Sequence, residues 1–243
     1  MFDADMCHGK RVRMIGYAKS EGVELYTREF GWAGLWMRVD GPQLYRPLAF
    51  DNMVNRPIHG SADWQKYEIV LDVPTTDLGA SPKQPRNLDF KQGTTSWFLT
   101  GSRPQNYEEG IDRNVKRSGE SSVYPKTEFS EPGEYGGLMQ VFDADDYRGK
   151  RVRLAGYVKS ESVEPWAGLW MRVDGPNRRM LSFDNMENRP IVGTTDWQKC
   201  EIVLDVPEDS AQIAIGIVLS GKGQVWLSNV RFEAVDSNVP TTG

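Results

Sequence analysis

The sequence predicts an all-β protein: an antiparallel jelly-roll β-sandwich in one complete domain, with an incomplete repeat of it. Three observations carry that expectation. Apolar and polar residues alternate at a period of two and almost nowhere at a helical period. Turn residues interrupt the alternation at short intervals. A long block of the chain also occurs twice. Residues 2–24, FDADMCHGKRVRMIGYAKSEGVE, return as residues 142–164, FDADDYRGKRVRLAGYVKSESVE. WAGLWMRVDGP from Trp32 returns from Trp166, FDNMVNRPI from Phe50 as FDNMENRPI from Phe183, and DWQKYEIVLDVP from Asp63 as DWQKCEIVLDVP from Asp196. Solenoid units run at roughly 20–50 residues, so a repeat of this length is a whole domain.

Taken in order, residues 1–74 are expected to supply about five strands of an incomplete sandwich, without the closing strands. Residues 75–86, TTDLGASPKQPR, read as a polar Pro/Gly linker. Residues 87–235 form the complete domain and 236–243 a frayed tail. Within the complete domain, KRVRLAGYVKS places Val152, Leu154, Gly156 and Val158 on one face and Arg151, Arg153, Ala155, Tyr157 and Lys159 on the other. WAGLWMRVD places Ala167, Leu169, Met171 and Val173 inward and Trp166, Gly168, Trp170, Arg172 and Asp174 outward, and Ile213, Ile215, Ile217 and Leu219 form another apolar row. Asp-Gly-Pro at 174–176, Arg-Pro at 189–190 and Ser-Gly-Lys-Gly at 220–223 are the turns between such rows. The first copy carries LYTREFG (25–31) where the second has the single Pro165, which lengthens one connection. Half a sandwich presents apolar faces and unpaired edges. Residues 1–74 are therefore expected to be completed by the full domain of the same chain, or by a second molecule in a homodimer.

The chain of 243 residues has a net charge of −5 and 39% hydrophobic residues, 8 of them Trp. That supplies a core and gives no bulk attraction to nucleic acid or acidic membranes. No apolar run approaches the roughly 18 residues of a membrane helix. Cys7 and Cys200 fall at non-equivalent positions, with Tyr147 and Tyr67 as their counterparts, so a disulfide framework is not expected. A reducing, cytoplasmic compartment is favoured. Secretion stays open because an upstream signal need not be present in this chain.

NLDFKQGTTSWFLTGS (87–102), RSGESSVYPKTE (117–128), GYVKSE (156–161) and VWLSNVRFEAV (225–235) together resemble carbohydrate-binding-module-like jelly rolls of the galactose-binding-like kind. Those domains share an Asn-x-x-Phe-x-x-Gly…Trp opening, a Ser-Gly-x-x-Ser strand entry, a Gly-x-Val-Lys strand and a closing Val-Trp strand. Leu138–Arg153, Trp166–Gly175 and Phe183–Pro207 are also similar to bacterial proteins labelled AraC-type transcriptional regulators or left uncharacterised. The resemblance implies a ligand-sensing or carbohydrate-binding role, here as the sensor part only. The chain itself contains nothing like the helical DNA-binding region of roughly 100 residues, and it is acidic. In the resembled modules the oxygen-rich ends often hold a structural Ca²⁺. The acidic residues here would permit one, but no ligand spacing identifies it.

The leading candidate site is the polar row Trp166, Trp170, Arg172 and Asp174, beside Arg153 and Tyr157 of a neighbouring strand. Aromatic faces stack on sugar C–H surfaces while Arg and Asp bond hydroxyls. The alternative is a cation–π ladder that stiffens the sheet, or a second packed face. Asp184, Asn185, Asn188 and Arg189 sit in a turn-rich segment that suits either ligand contact or turn bonding. Because the truncated copy keeps them as Asp51, Asn52, Asn55 and Arg56, the structural role is preferred. The 96–113 loop belongs only to the complete domain. It offers Trp97, Arg103, Gln105, Tyr107 and Asp112 as a groove rim, or else a plain loop anchored by a buried Trp. The histidines, His8 and His59, have Arg148 and Val192 as counterparts, and no metal, nucleophile or phosphate-loop motif occurs. The expected function is non-catalytic binding of a small polar ligand, a carbohydrate, with no cofactor. A structural or assembly module is the alternative, and a carboxylate-based glycoside hydrolase a distant third.

Overall fold

The computed structural model describes residues 7, 9–23, 33–40, 47–53, 56–73, 81–102, 106–117, 121–128 and 134–243. The chain forms two compact units, residues 1–80 and 81–243.

Unit 2 is the all-β jelly-roll sandwich anticipated from the alternation. Its strands are β5 (Phe98–Gly101), β6 (Glu108–Asp112), β7 (Ser122–Thr127), β8 (Tyr135–Asp143), β9 (Arg151–Asp174), β10 (Met180–Asp184), β11 (Ile191–Asp205) and β12 (Gln212–Val235). Two long strands, β9 and β12, run antiparallel through both layers. Residues 212–222 of β12 pair with 164–174 of β9 and with β8, which in turn carries β5, while β10 closes the other side of β9. That is the first layer. Residues 224–235 of β12 pair with 151–161 of β9, flanked by β7 and β6 on one side and β11 on the other. That is the second. Both strands change layer where the backbone takes left-handed conformations, at Ser162 (φ 52°) on β9 and at Gly221 (φ 75°) and Gly223 (φ 114°) on β12. A Cβ at Gly221 would lie 2.1 Å from the Glu164 carbonyl oxygen, so only glycine lets the two bends cross this closely.

The inward rows meet between the layers. Val152, Leu154 and Val158, then Ala167, Leu169, Met171 and Val173, pack with Ile213, Ile215, Ile217 and Leu219, all buried. Phe142, Tyr147 and Phe232 form a cluster of edge-on rings at 5.0 to 5.8 Å between centroids.

Two expectations change here. Residues 81–86, read as linker, lie along β8 and β12. The Asp143 amide donates to the Pro82 carbonyl (2.8 Å), and the Gln140 side chain bonds both backbone groups of Arg86 (2.8 and 3.1 Å). The tail does not fray either. The Thr242 amide donates to the Val203 carbonyl (2.9 Å), the Val203 amide to the Thr242 hydroxyl (2.9 Å), and Arg151 holds the carbonyls of Ser237 and Val239. The polar composition of both segments reads as loop, yet each finds unpaired backbone groups at a sheet edge.

Unit 1 contains β1 (Arg11–Val23), β2 (Met37–Asp40), β3 (Pro47–Asp51) and β4 (Gly60–Asp72). β1 pairs with β4 and β2 with β3. Arg11 opposes Asp72 as Arg151 opposes Asp205, Met37 opposes Asp51 as Met171 opposes Asp184, and Ala33 bridges Ile58 as Ala167 pairs with Ile191. Unit 1 thus repeats the β9–β10–β11 part of unit 2 in the same register, around a small core of Val39, Met53, Ile58, Ile69, Leu71 and Val73.

Candidate functional site

The sequence places Trp166, Trp170, Arg172 and Asp174 on one face of a strand, and the structure puts that face outward on the first layer. The floor beneath Trp170 is made by its neighbour on β12. Gly216 pairs with Trp170, and a Cβ at Gly216 would stand 2.5 Å from Trp170 Nε1 and 2.9 Å from Cε2. The indole therefore packs over the glycine, where any side chain would displace it, and it remains half-exposed. Arg172 donates from Nε to Asp174 Oδ1 at 2.8 Å, and the Asp174 side chain is 1% exposed against 27% for Arg172. A buried carboxylate thus fixes a guanidinium whose outer part still reaches solvent. Phe183 of β10 stands directly opposite Arg172 in the register and is 40% exposed. Its neighbour on that edge, Met180, is also exposed. Two aromatic surfaces flanking an oriented guanidinium on a rigid sheet can hold a flat ligand face and bond its polar rim.

The structure divides the remaining candidates from that group. Arg153 and Tyr157 are on the same strand as Trp170, but in the second layer and on its outer face. They are not on a neighbouring strand. Arg153 pairs with Glu233 (Nη2–Oε1 2.5 Å), and the guanidinium of Arg117 lies 3.4 Å above the Tyr157 ring. That surface is a cation–π and ion-pair ladder. Trp97 and Tyr107 are buried. Trp97 Nε1 donates to the Asn87 carbonyl (3.1 Å) and its ring packs on Phe90. Tyr107 donates to the Gly221 carbonyl (3.0 Å) with its ring against Gly136. Burial, and then the charge of Glu134, push the Tyr107 phenol up to about 12. Asp112 accepts from Trp226 Nε1 at 3.0 Å, so that part of the unshared loop ties down the bend of β12. Arg103 and Gln105 lie outside the described residues.

Asp184 and Arg189 lock the turn after β10. Arg189 makes a bidentate pair with Asp184 (2.6 and 3.1 Å) and also reaches the Glu201 carbonyl, while Asp184 accepts from the Met186 amide (2.8 Å) and the Thr242 hydroxyl (2.5 Å). Burial raises the Asp184 carboxyl, but these donors outweigh it and hold the carboxyl below the usual range. Asn188 accepts from Arg189 (2.8 Å) and is exposed. Asp51 and Arg56 repeat the fork in unit 1 at 2.5 and 3.1 Å. The repeat therefore serves the turn in both units.

Sequence reasoning missed Phe183 and Gly216. Phe183 is flagged only by its presence in both copies (as Phe50) beside the polar Asp-Asn. Gly216 is the lone glycine in the alternating 213–219 row. Neither signal says that the two flank one surface. His59 is exposed, and His8 lies outside the described residues. Among the described residues no group of three or more His, Cys, Asp or Glu gathers to hold a metal ion, so the structure offers no carboxylate cage for the Ca²⁺ that the resemblance raises.

The fold and this face define a β-sandwich with an aromatic, partly polar outer sheet. No family model matches the chain. It is 52% identical over 147 residues to the "Uncharacterized HTH-type transcriptional regulator YbfP" of Bacillus subtilis (strain 168), a match covering 60% of this chain and 50% of that protein. The chain thus spans about half the length of this curated relative. Solved structures it resembles include β-sandwich carbohydrate-binding modules. One is the CBM22-1 xylan-binding domain of Paenibacillus barcinonensis Xyn10C (TM-score 0.45, 16% identity, 61% of this chain and 92% of that one). Another resembled structure is the enzymatically active domain of the bacteriophage CBA120 tailspike protein 4 (TM-score 0.49, 15% identity, 68% and 23%).

Proposed function

We propose that unit 2 binds a small polar ligand, a carbohydrate, on the outer face of its first layer without transforming it, as the sensor part of a regulatory protein. The observation that carries this is the Trp170 indole laid over Gly216, beside an Arg172 guanidinium anchored on the buried Asp174 and faced by Phe183. An indole packed on its own sheet has little freedom left to lose on binding, and the guanidinium supplies donors for hydroxyl oxygens at the ring's edge. Acidic net charge argues against direct contact with nucleic acid, and the relative's description as an HTH-type regulator suits a division in which another part of the protein does that. Both cysteines are free thiols, which suits a reducing compartment.

The test is tryptophan fluorescence titrated with a panel of mono- and oligosaccharides. A saturable response is expected, lost in Trp170→Ala with the circular-dichroism spectrum unchanged. No response to any sugar, or an equal response from Trp170→Ala, would refute the reading. A second reading, an assembly module, rests on the exposed Met180 and Phe183 along the same edge. It requires a mass that rises with concentration and is reduced by Phe183→Ser.

A further inference from the structure

The repeat allows each surface of unit 1 to be compared with a surface of unit 2 that has nearly the same sequence and the same register. In unit 2, β9 has two partners along its length, β11 on one edge and β12 on the other. In unit 1, β1 pairs with β4, the counterpart of β11, and among the described residues no strand of unit 1 pairs with its other edge as β12 pairs with β9. The consequences are visible side chain by side chain. Arg153 is held by Glu233 of β12, but its counterpart Arg13 is exposed and makes no ion pair among the described residues. Trp170 lies over Gly216 of β12, but its counterpart Trp36 is 66% exposed. Ala155, opposite Arg231, is 9% exposed, but its counterpart Ile15 is 45% exposed. On the inner side Leu154 and Val158 are fully buried, whereas their counterparts Met14 and Ala18 are only partly buried.

We propose that the free edge of β1 is a strand-accepting site whose occupant is an extended peptide segment with the β12 pattern. Such a segment has apolar residues at the positions of Val225, Leu227 and Phe232, and a carboxylate at that of Glu233 to meet Arg13. The register follows from unit 2. Glu233 opposes Arg153, Phe232 opposes Leu154, Leu227 opposes Val158 and Val225 opposes Ser160, which in unit 1 become Arg13, Met14, Ala18 and Ser20. An added strand satisfies the row of edge N–H and C=O groups through the backbone. Its alternate side chains and one charge pair set which segment is accepted and in which register. The site is independent of the sugar-binding face proposed for unit 2, and either can fail without the other.

The probe is a labelled peptide of residues 225–235, VWLSNVRFEAV, titrated into the full chain and followed by fluorescence anisotropy, with a scrambled peptide as control. One saturable site per chain is expected. Arg13→Glu should weaken binding at least tenfold, and a peptide with Glu233→Lys should bind Arg13→Glu better than it binds the original chain. That reversal separates a charge pair in register from unfolding of the variant. A peptide that merely displaced β12 from unit 2 would not sense residue 13. Absence of saturable binding, or binding indifferent to Arg13→Glu, overturns the proposal. So does a doubling of mass without peptide that the peptide does not reverse, which would assign the edge to a second copy of the chain.

Discussion

Ala62→Thr is expected to stabilise unit 1 by filling a hydrogen-bond vacancy that the repeat itself exposes. In unit 2 the buried Ser160 hydroxyl lies 2.9 Å from Thr195 Oγ1 and 3.0 Å from the Gly193 carbonyl, and accepts from the Thr195 amide at 3.1 Å. Its counterpart Ser20 is also buried, 8% exposed, but faces Ala62 on β4, and its hydroxyl has no hydrogen-bond partner among the described residues. Ala62 is half-buried like Thr195 and stands opposite Ser20 as Thr195 stands opposite Ser160, so a threonine there is placed to reach the hydroxyl. One hydrogen bond is worth about 1 kcal/mol, and a buried hydroxyl left unmade costs about 1–3 kcal/mol. Adding a β-branched residue in a strand works in the same direction. A gain of about 1–2 kcal/mol is expected in unit 1, with a loss of similar size in unit 2 for Thr195→Ala. Hydrogen exchange read peptide by peptide resolves the units. In Ala62→Thr, amides of 11–23 and 60–72 should exchange about 5–30-fold more slowly, the range that 1–2 kcal/mol corresponds to. Unchanged or faster exchange in those strands would refute the reasoning, because it would mean that Ser20 loses nothing by standing alone.

Asp184→Asn and Asp51→Asn remove the same fork from unlike surroundings. The Asp184 side chain is 5% exposed and that of Asp51 21%, so the first should cost unit 2 about 3 kcal/mol and the second cost unit 1 about 1 kcal/mol. Both carboxyls are held below their usual range when folded, so their contribution is complete above about pH 4 and fades as pH falls toward the folded value. Acid titration of Asp184→Asn, followed by unit 2 exchange, should therefore lose part of the pH dependence in that window. Equal costs in the two units would contradict the burial argument. Burial also raises the Cys200 thiol to about 11, so at pH 8 a thiol reagent should label Cys7 promptly and Cys200 only on unfolding. Prompt labelling of both would show that the core around Cys200 opens.

Most of the scaffold was legible because strand periodicity is local. The inward rows of β9 and the N-terminal half of β12 are the residues that the alternation selects, and the presence of Asp184 and Arg189 in both copies favours a structural role over ligand contact without showing the fork they form. The site was only partly legible. Alternation puts Trp166, Trp170, Arg172 and Asp174 on one face of a strand, as β9 has them, but the reading that sets Arg153 and Tyr157 beside them does not survive the pairing. A single strand of this length crosses from one layer to the other, and no local pattern marks which half belongs to which sheet. The bend at Ser162 was also hidden, because Ser is not a residue type that announces a left-handed backbone.

Residue order alone determined the alternation, the turns and the repeat, all set by interactions within a few residues or by identity between two stretches. Tertiary structure decided which strand lies beside which. It thereby decided that Gly216 lies under Trp170, that Phe183 faces Arg172, that Thr242 returns to Asp184, and that β9 is paired on both edges while β1, among the described residues, is paired only with β4. Those pairings join residues far apart in the chain, and their energy depends on register and burial that no single segment encodes.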